Sequence, residues 1–224
     1  MTASDTGERP RLLITEAGGS TVRTVVLVLP GGTARSVVAA RGWQLAQLRM
    51  IPFARVARGA VAREASAGRP AAVWRLRYRV RGWNAPRLDP VQDARWALAE
   101  VQRRHPAAQV VLIGHSMGGR AALRCAADPN VVGVCALAPW IEPGEPVDQL
   151  AGLALVIAHG DRDRITDPRM SAAYAERAAA AGADVRLQIM PGDGHGMLRH
   201  ASRWNAVVRK FVTTLVQAGA RDLS

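Results

Sequence analysis

The chain has 224 residues, 49% hydrophobic and 21% charged, with a formal net charge of +12. That balance is close to a soluble globular average, and the longest apolar runs, Val25–Leu29 and Val131–Ala138, are only strand-length, so neither disorder nor a membrane-spanning helix is the default reading. All but one of the 30 cations are arginine; they are dispersed and belong to no recognised module, which argues against nucleic-acid binding and membrane insertion while leaving a positive field that would steer anions.

Met1–Pro10 is polar and lacks the basic flank and apolar core of a secretory signal. The expectation is a disordered tail over residues 1–10, a single α/β domain over 11–224 and a cytoplasmic location. Arg11–Glu16 reads as a first strand, followed by a turn at Gly18-Gly19-Ser20. Thr24–Leu29 is an apolar, β-branched run of the kind buried on both faces, ending in a Pro30-Gly31-Gly32-Thr33 loop. A helix is predicted from about Pro52 to Ser66, closed by Gly68. Ala72–Arg81 is the next strand. Asp89 and Pro90 read as N-cap and first-turn proline of a helix whose Val91, Ala94, Leu98 and Val101 share a face.

Gln109–Ile113 is strand again, then a helix from Met117 to Ala127. Strands follow at Val131–Ala138, Leu153–Ala158 and Val185–Met190. Between the last two lies a helix over Asp167–Ala181, closed by Gly182. Trp204, Val207, Val208, Phe211 and Leu215 stripe a final helix. Alternation of strand and helix from residue 24 onward calls for a mostly parallel sheet of about seven strands with helices on both faces. Cys125 and Cys135 fall in a helix and a strand, in no metal-like spacing, and read as buried thiols.

The strongest local signal is Gly114-His115-Ser116-Met117-Gly118 between an apolar strand and a helix. A nucleophilic serine must be lifted clear of the sheet on a sharp turn, which crowds the positions two residues away; glycine at both removes the clash. A serine needs a base and an orienting acid, in the chain order Ser, Asp, His for this kind of turn. Two late loops offer them: His159-Gly160-Asp161-Arg162-Asp163-Arg164 and Gly192-Asp193-Gly194-His195-Gly196. Parallel strands would bring both to the end of the sheet that carries Ser116.

Over nearly the whole chain from Arg11 onward, these motifs resemble the α/β-hydrolase superfamily. The resemblance implies Asp163 as the acid, with Asp161 and Asp167 as alternatives, and His195 as the base, with His200 its rival. It implies an oxyanion hole from the Met117 amide and an amide of the loop after the earlier strand, Gly32 or alternatively Thr33, although Pro30 stands where a histidine is common. It also implies acyl transfer to water with no metal or organic cofactor. The interval Pro139–Gly152 is too short for a helical lid domain, so a lidless, open site is expected, with Thr33, Trp140 and Met197 as candidate pocket residues and Leu198 near the rim. His159 should order its loop, and His105 should be solvated at a helix end.

A carboxylesterase acting on a small-molecule acyl substrate is the leading reading, with a thioesterase or a peptidase/amidase as alternatives that use the same triad. A catalytically silent binding protein on the same fold is the alternative of a different class. One stretch stands apart: Arg75, Arg77, Arg79 and Arg81 alternate with Trp74, Leu76, Tyr78 and Val80. Period two puts the arginines on one face, either as a solvated surface or as a site for an anion or acidic partner.

Overall fold

Parity along each strand decides which of two cores it feeds. In the strand Thr24–Leu29, Val25, Leu27 and Leu29 enter one core, and Val26 and Val28 enter the other. Odd and even residues split in the same way at Val110 and Leu112 against Val111 and Ile113. Burial on both faces is the condition for a parallel sheet covered by helices, and the computed structural model, which describes residues 9–17 and 22–219, has that form.

Among the described residues there are seven strands: β1 (Arg11–Ala17), β2 (Thr24–Leu29), β3 (Ala71–Arg77), β4 (Gln109–His115), β5 (Val131–Leu137), β6 (Ala154–Gly160) and β7 (Asp184–Met190). Their order across the sheet is β1-β3-β2-β4-β5-β6-β7, with β1 antiparallel to β3 and the remaining pairs parallel. The helices are α1 (Leu45–Arg49), α2 (Ile51–Ser66), α3 (Asp89–Arg104), α4 (Met117–Cys125), α5 (Pro168–Ala180) and α6 (Ala201–Ala218). Residues of α3, α4 and α5 cover one face, among them Val91, Ala94, Ala121 and Tyr174. Those of α2 and α6 cover the other, led by Phe53, Ala57, Trp204 and Val208.

The chain runs from β2 outward to β3, then returns to β4 on the other side of β2. This reversal opens a crevice at the carboxyl ends of β2 and β4, where ligands of open α/β sheets bind. The β5–β6 connection, residues 138–153, holds a single 3-10 turn at Asp148–Leu150. Among the described residues, no helix is long and apolar enough to cross a membrane.

Several local expectations need correction. The expected tail and the turn at Gly18-Gly19-Ser20 lie outside the described residues, apart from Arg9 and Pro10. The strand expected over Ala72–Arg81 ends at Arg77. Beyond it the chain leaves the sheet and bonds to the segment after β2, with Arg81 N–H on the Val38 carbonyl and Trp83 N–H on the Thr33 carbonyl. Asp89 is the first residue of α3 rather than its cap, Leu88 taking that place in a left-handed conformation at φ 55°. His105 packs edge-on against Trp74, with centroids 5.9 Å apart, and lies 3.2 Å from Glu16 instead of being solvated.

Candidate active site

Ser116 sits between β4 and α4 with φ 53°, a left-handed conformation that costs a non-glycine residue on the order of 1–3 kcal/mol. Both glycines of the turn are required by contact. A Cβ at Gly114 would overlap the Gly118 carbonyl, and one at Gly118 would overlap the Pro30 and Leu29 carbonyls. The Ser116 carbonyl accepts from the amides of Arg120 and Trp140, each at 3.1 Å, which fixes the turn from both sides.

The Ser116 hydroxyl donates to His195 Nε2 at 3.0 Å, and His195 Nδ1–H donates to Asp163 Oδ2 at 2.8 Å. Asp163 lies just after β6 and His195 after β7, so parallel pairing of β4, β5, β6 and β7 brings the three together across long sequence intervals. The two other acids are engaged elsewhere. Asp161 accepts from the Gly192 amide at 2.7 Å. Asp167 caps α5 and accepts from the Arg169 amide. His200, the rival base, precedes α6, and its backbone amide donates to Asp193.

Asp163 is buried among donors. Its Oδ1 accepts from the amides of Ile165 and Thr166, and its Oδ2 from His195, from the Thr166 hydroxyl at 2.9 Å and from His159 Nε2–H at 3.2 Å. Burial alone would raise its pKa, but bonds from His159, His195 and the two amides outweigh it and hold the carboxyl far below the usual range. His159, fully buried, accepts from the Ser171 hydroxyl at 2.7 Å on its other nitrogen, which ties the loop after β6 to α5. Thr166 was not singled out by the sequence; its hydroxyl lies 3.1 Å from His195 Nδ1 as well.

The His195 loop is anchored from behind by Asp193, also unassigned by the sequence. Its carboxylate accepts from the Arg199 and His200 amides and from the Trp204 indole at 2.9 Å. Burial opposes its charge, but these donors prevail and lower its pKa. From the front, buried His115 Nε2–H donates to the His195 carbonyl at 3.1 Å. Burial first, then the neighbouring His195 and Arg49, lower the His115 pKa to about 3.

This burial has a consequence for stability. An unfolded chain protonates His115 near pH 6.5, and the folded one resists until about pH 3. Below pH 6.5 the unfolded state therefore binds more protons, and stability falls by up to about 1.4 kcal/mol per pH unit. The depressed Asp163 acts in the same direction lower down, its contribution being full above about pH 4 and lost with further acidification. His115→Gln should lose about 1.5 kcal/mol less than wild type between pH 6.5 and 5. Urea midpoints of both proteins across that range provide the check, and parallel slopes would refute the penalty.

The loop after β2 lies against Ser116. A Cβ on Gly31 would come within 3.5 Å of the Ser116 Cβ. The Thr33 amide donates to the Arg81 carbonyl at 2.9 Å, which removes Thr33 as a free donor. Among the described residues the amides of Gly32 and Met117 have no hydrogen-bond acceptor. A cavity of about 390 Å³ opens beside this loop, lined by Gly31, Gly32, Thr33, Trp43, Leu45 and Arg81 among others.

The remaining pocket candidates fall differently. Met197, at φ 57°, turns inward and is 3% exposed within the core under α6, whereas Leu198 is 78% exposed. Trp140 is half-buried. It packs edge-on against Trp83, and the Arg120 guanidinium lies 4.7 Å from its ring and 4.5 Å from that of Trp83. Arg120 and Arg124 both pair with the buried Glu145. Burial raises the thiol pKa of Cys125 and of Cys135 to about 12, so both stay protonated. Among the described residues, no group of three or more His, Cys, Asp or Glu is placed to hold a metal ion.

Comparison with known families gives a match to the model of the Alpha/beta hydrolase family over residues 25–164. The chain belongs to that family. A comparison with curated proteins finds no match. Among solved structures, the hydrolase resembles an alpha-beta serine hydrolase homologue from Coxiella burnetii at 17% identity and a TM-score of 0.62, covering 92% of this chain and 90% of that one. It resembles an acetyl ester-xyloside bifunctional hydrolase from Caldicellulosiruptor lactoaceticus at 17% identity and 0.68, over 92% and 88%. It also resembles a monoacylglycerol lipase from Paleococcus ferrophilus at 13% identity and 0.64, over 91% and 99%. At these identities the likeness extends to the fold.

Proposed function

We propose that this hydrolase is a serine carboxylesterase that forms an acyl-enzyme on Ser116. The observation that carries the reading is the unbroken chain from the Ser116 hydroxyl through both ring nitrogens of His195 to Asp163, at 3.0 and 2.8 Å. His195 Nε2 takes the hydroxyl proton as Oγ attacks the acyl carbon. Asp163, ionised and saturated with donors, keeps Nδ1 protonated and stabilises the imidazolium that forms. The amides of Gly32 and Met117 receive the oxyanion, each donor being worth on the order of 10²–10³ in rate. The imidazolium then gives its proton to the leaving alcohol, and water returns the serine by the same steps in reverse order.

The cavity beside Gly32 has the volume of a small-ligand site and supports a short acyl or alcohol portion. The ester-cleaving activity named for the Caldicellulosiruptor neighbour favours esters over amides. The test is a panel of matched short-chain esters, thioesters and amides, run alongside a fluorophosphonate probe. Ester turnover should exceed amide turnover, and the probe should label one site, mapped to the peptide containing Ser116. Folded protein that resists the probe would support a silent binding role instead.

A further inference from the structure

The arginine-rich stretch divides when its neighbours are considered. Arg79 is engaged internally, with Asp93 on its backbone amide and guanidinium and Asp89 at 3.4 Å. Arg81 borders the cavity beside the oxyanion loop. Arg75 and Arg77 remain in β3 on the α2 side of the sheet, where the register sets Arg77 opposite Arg11 and Arg75 opposite Leu13. Like charges directly opposed across an antiparallel pair destabilise it. From α2, Arg55 and Arg58 join Arg75 around a second cavity of about 420 Å³, which shares no lining residue with the first. Arg55, Arg58 and Arg75 thus share one cavity, with the Arg11–Arg77 pair next to them in the register, and among the described residues none of these five has an ion pair or a side-chain hydrogen bond. Burial, then Arg58 and Arg55, lower the Arg75 pKa, as expected for like charges without a counter-ion.

We propose that this corner binds a small organic phosphate, its phosphate group held by Arg55, Arg58 and Arg75 and its apolar body lying on Leu13, Ile51 and Val73. Three guanidiniums exceed what one carboxylate can neutralise. A phosphomonoester carries nearly two charges and three acceptor oxygens, and guanidinium forks match that geometry. The apolar lining is what separates such a ligand from a bare ion. The site goes beyond the esterase reading and does not depend on it.

Phenyl phosphate is the probe, titrated at low ionic strength and followed by thermal midpoint and calorimetry, with inorganic phosphate as the bare-ion arm. Wild type should bind phenyl phosphate saturably and more tightly than inorganic phosphate. R58Q/R75Q should weaken binding about a hundredfold, and R55Q alone about tenfold, at roughly tenfold per arginine. R103Q/R169Q lowers the net charge equally but removes arginines that have their own carboxylates; it should bind like wild type. Equal affinity in wild type and R58Q/R75Q would overturn the site, and equal affinity for the two phosphates would overturn its apolar half. Arginine-dependent binding to vesicles containing phosphatidic acid, without saturable binding of phenyl phosphate, would overturn it in favour of a membrane surface.

Discussion

Ser116→Ala should lower turnover of the best ester by on the order of 10⁵–10⁶ while leaving the fold intact. Alanine keeps the Cβ and so the strain of the turn at φ 53°, which means the loss cannot be assigned to a relaxed elbow. The residue is 8% exposed, and what disappears is the hydroxyl that donates to His195. The effect should not add to that of His195→Ala. In the proposed mechanism nucleophile and base act as one unit, so the double variant should be about as slow as either single one. Initial rates of the three variants at saturating ester, with thermal midpoints beside them, are the measurement. Turnover by Ser116→Ala within tenfold of wild type would end the acyl-enzyme mechanism.

Asp163→Asn should cost about 10⁴ in kcat and destabilise the protein as well. The substituted amide would turn two donors toward a place where His195, His159, the Thr166 hydroxyl and two backbone amides already converge as donors. His195 would then be driven to the wrong tautomer, and at least one buried donor would lose its acceptor, at about 1–3 kcal/mol. Asp161→Asn and Asp167→Asn should leave kcat within a few-fold, since those carboxylates serve the Gly192 amide and the α5 cap. A rate for Asp163→Asn close to that of Asp161→Asn would displace Asp163 from its assigned role.

Much of this was legible because the signals are local or follow from topology. Alternation of apolar strands and striped helices fixes parallel pairing, and parallel pairing carries the ends of β4, β6 and β7 to one edge. The glycines around Ser116 answer a steric demand within five residues. Contacts set by tertiary placement were not legible. Thr166 is an ordinary loop threonine until the turn after Asp163 folds it back onto the carboxylate. Asp193 reads only as part of the loop before His195, because its partners Arg199, His200 and Trp204 come together only when α6 docks. Met197, two residues after the histidine, reads as a pocket residue; its left-handed backbone sends it into the core instead. The alternation through Arg81 looks like one strand, yet residues past Arg77 trade the sheet for the segment after β2, and Arg79 finds acids that the pattern could not reveal.

The Arg120 arrangement gives the two sides of the crevice unequal freedom to change. On one side Trp140 and Glu145 are tied to the helix behind the nucleophile by stacking and paired charge, and Arg177 on α5 adds a bond to the Glu145 carbonyl. Any drift in that wall would be felt at Ser116 itself. On the other, Val37, Val38, Trp43 and Leu45 are each more than half exposed and sit on a connection fastened mainly by backbone bonds to residues 79–84. In the proposed esterase, new acyl preferences would therefore arise by redrafting residues 37–48, while the opposite wall serves as the fixed jaw against which each new shape is tried.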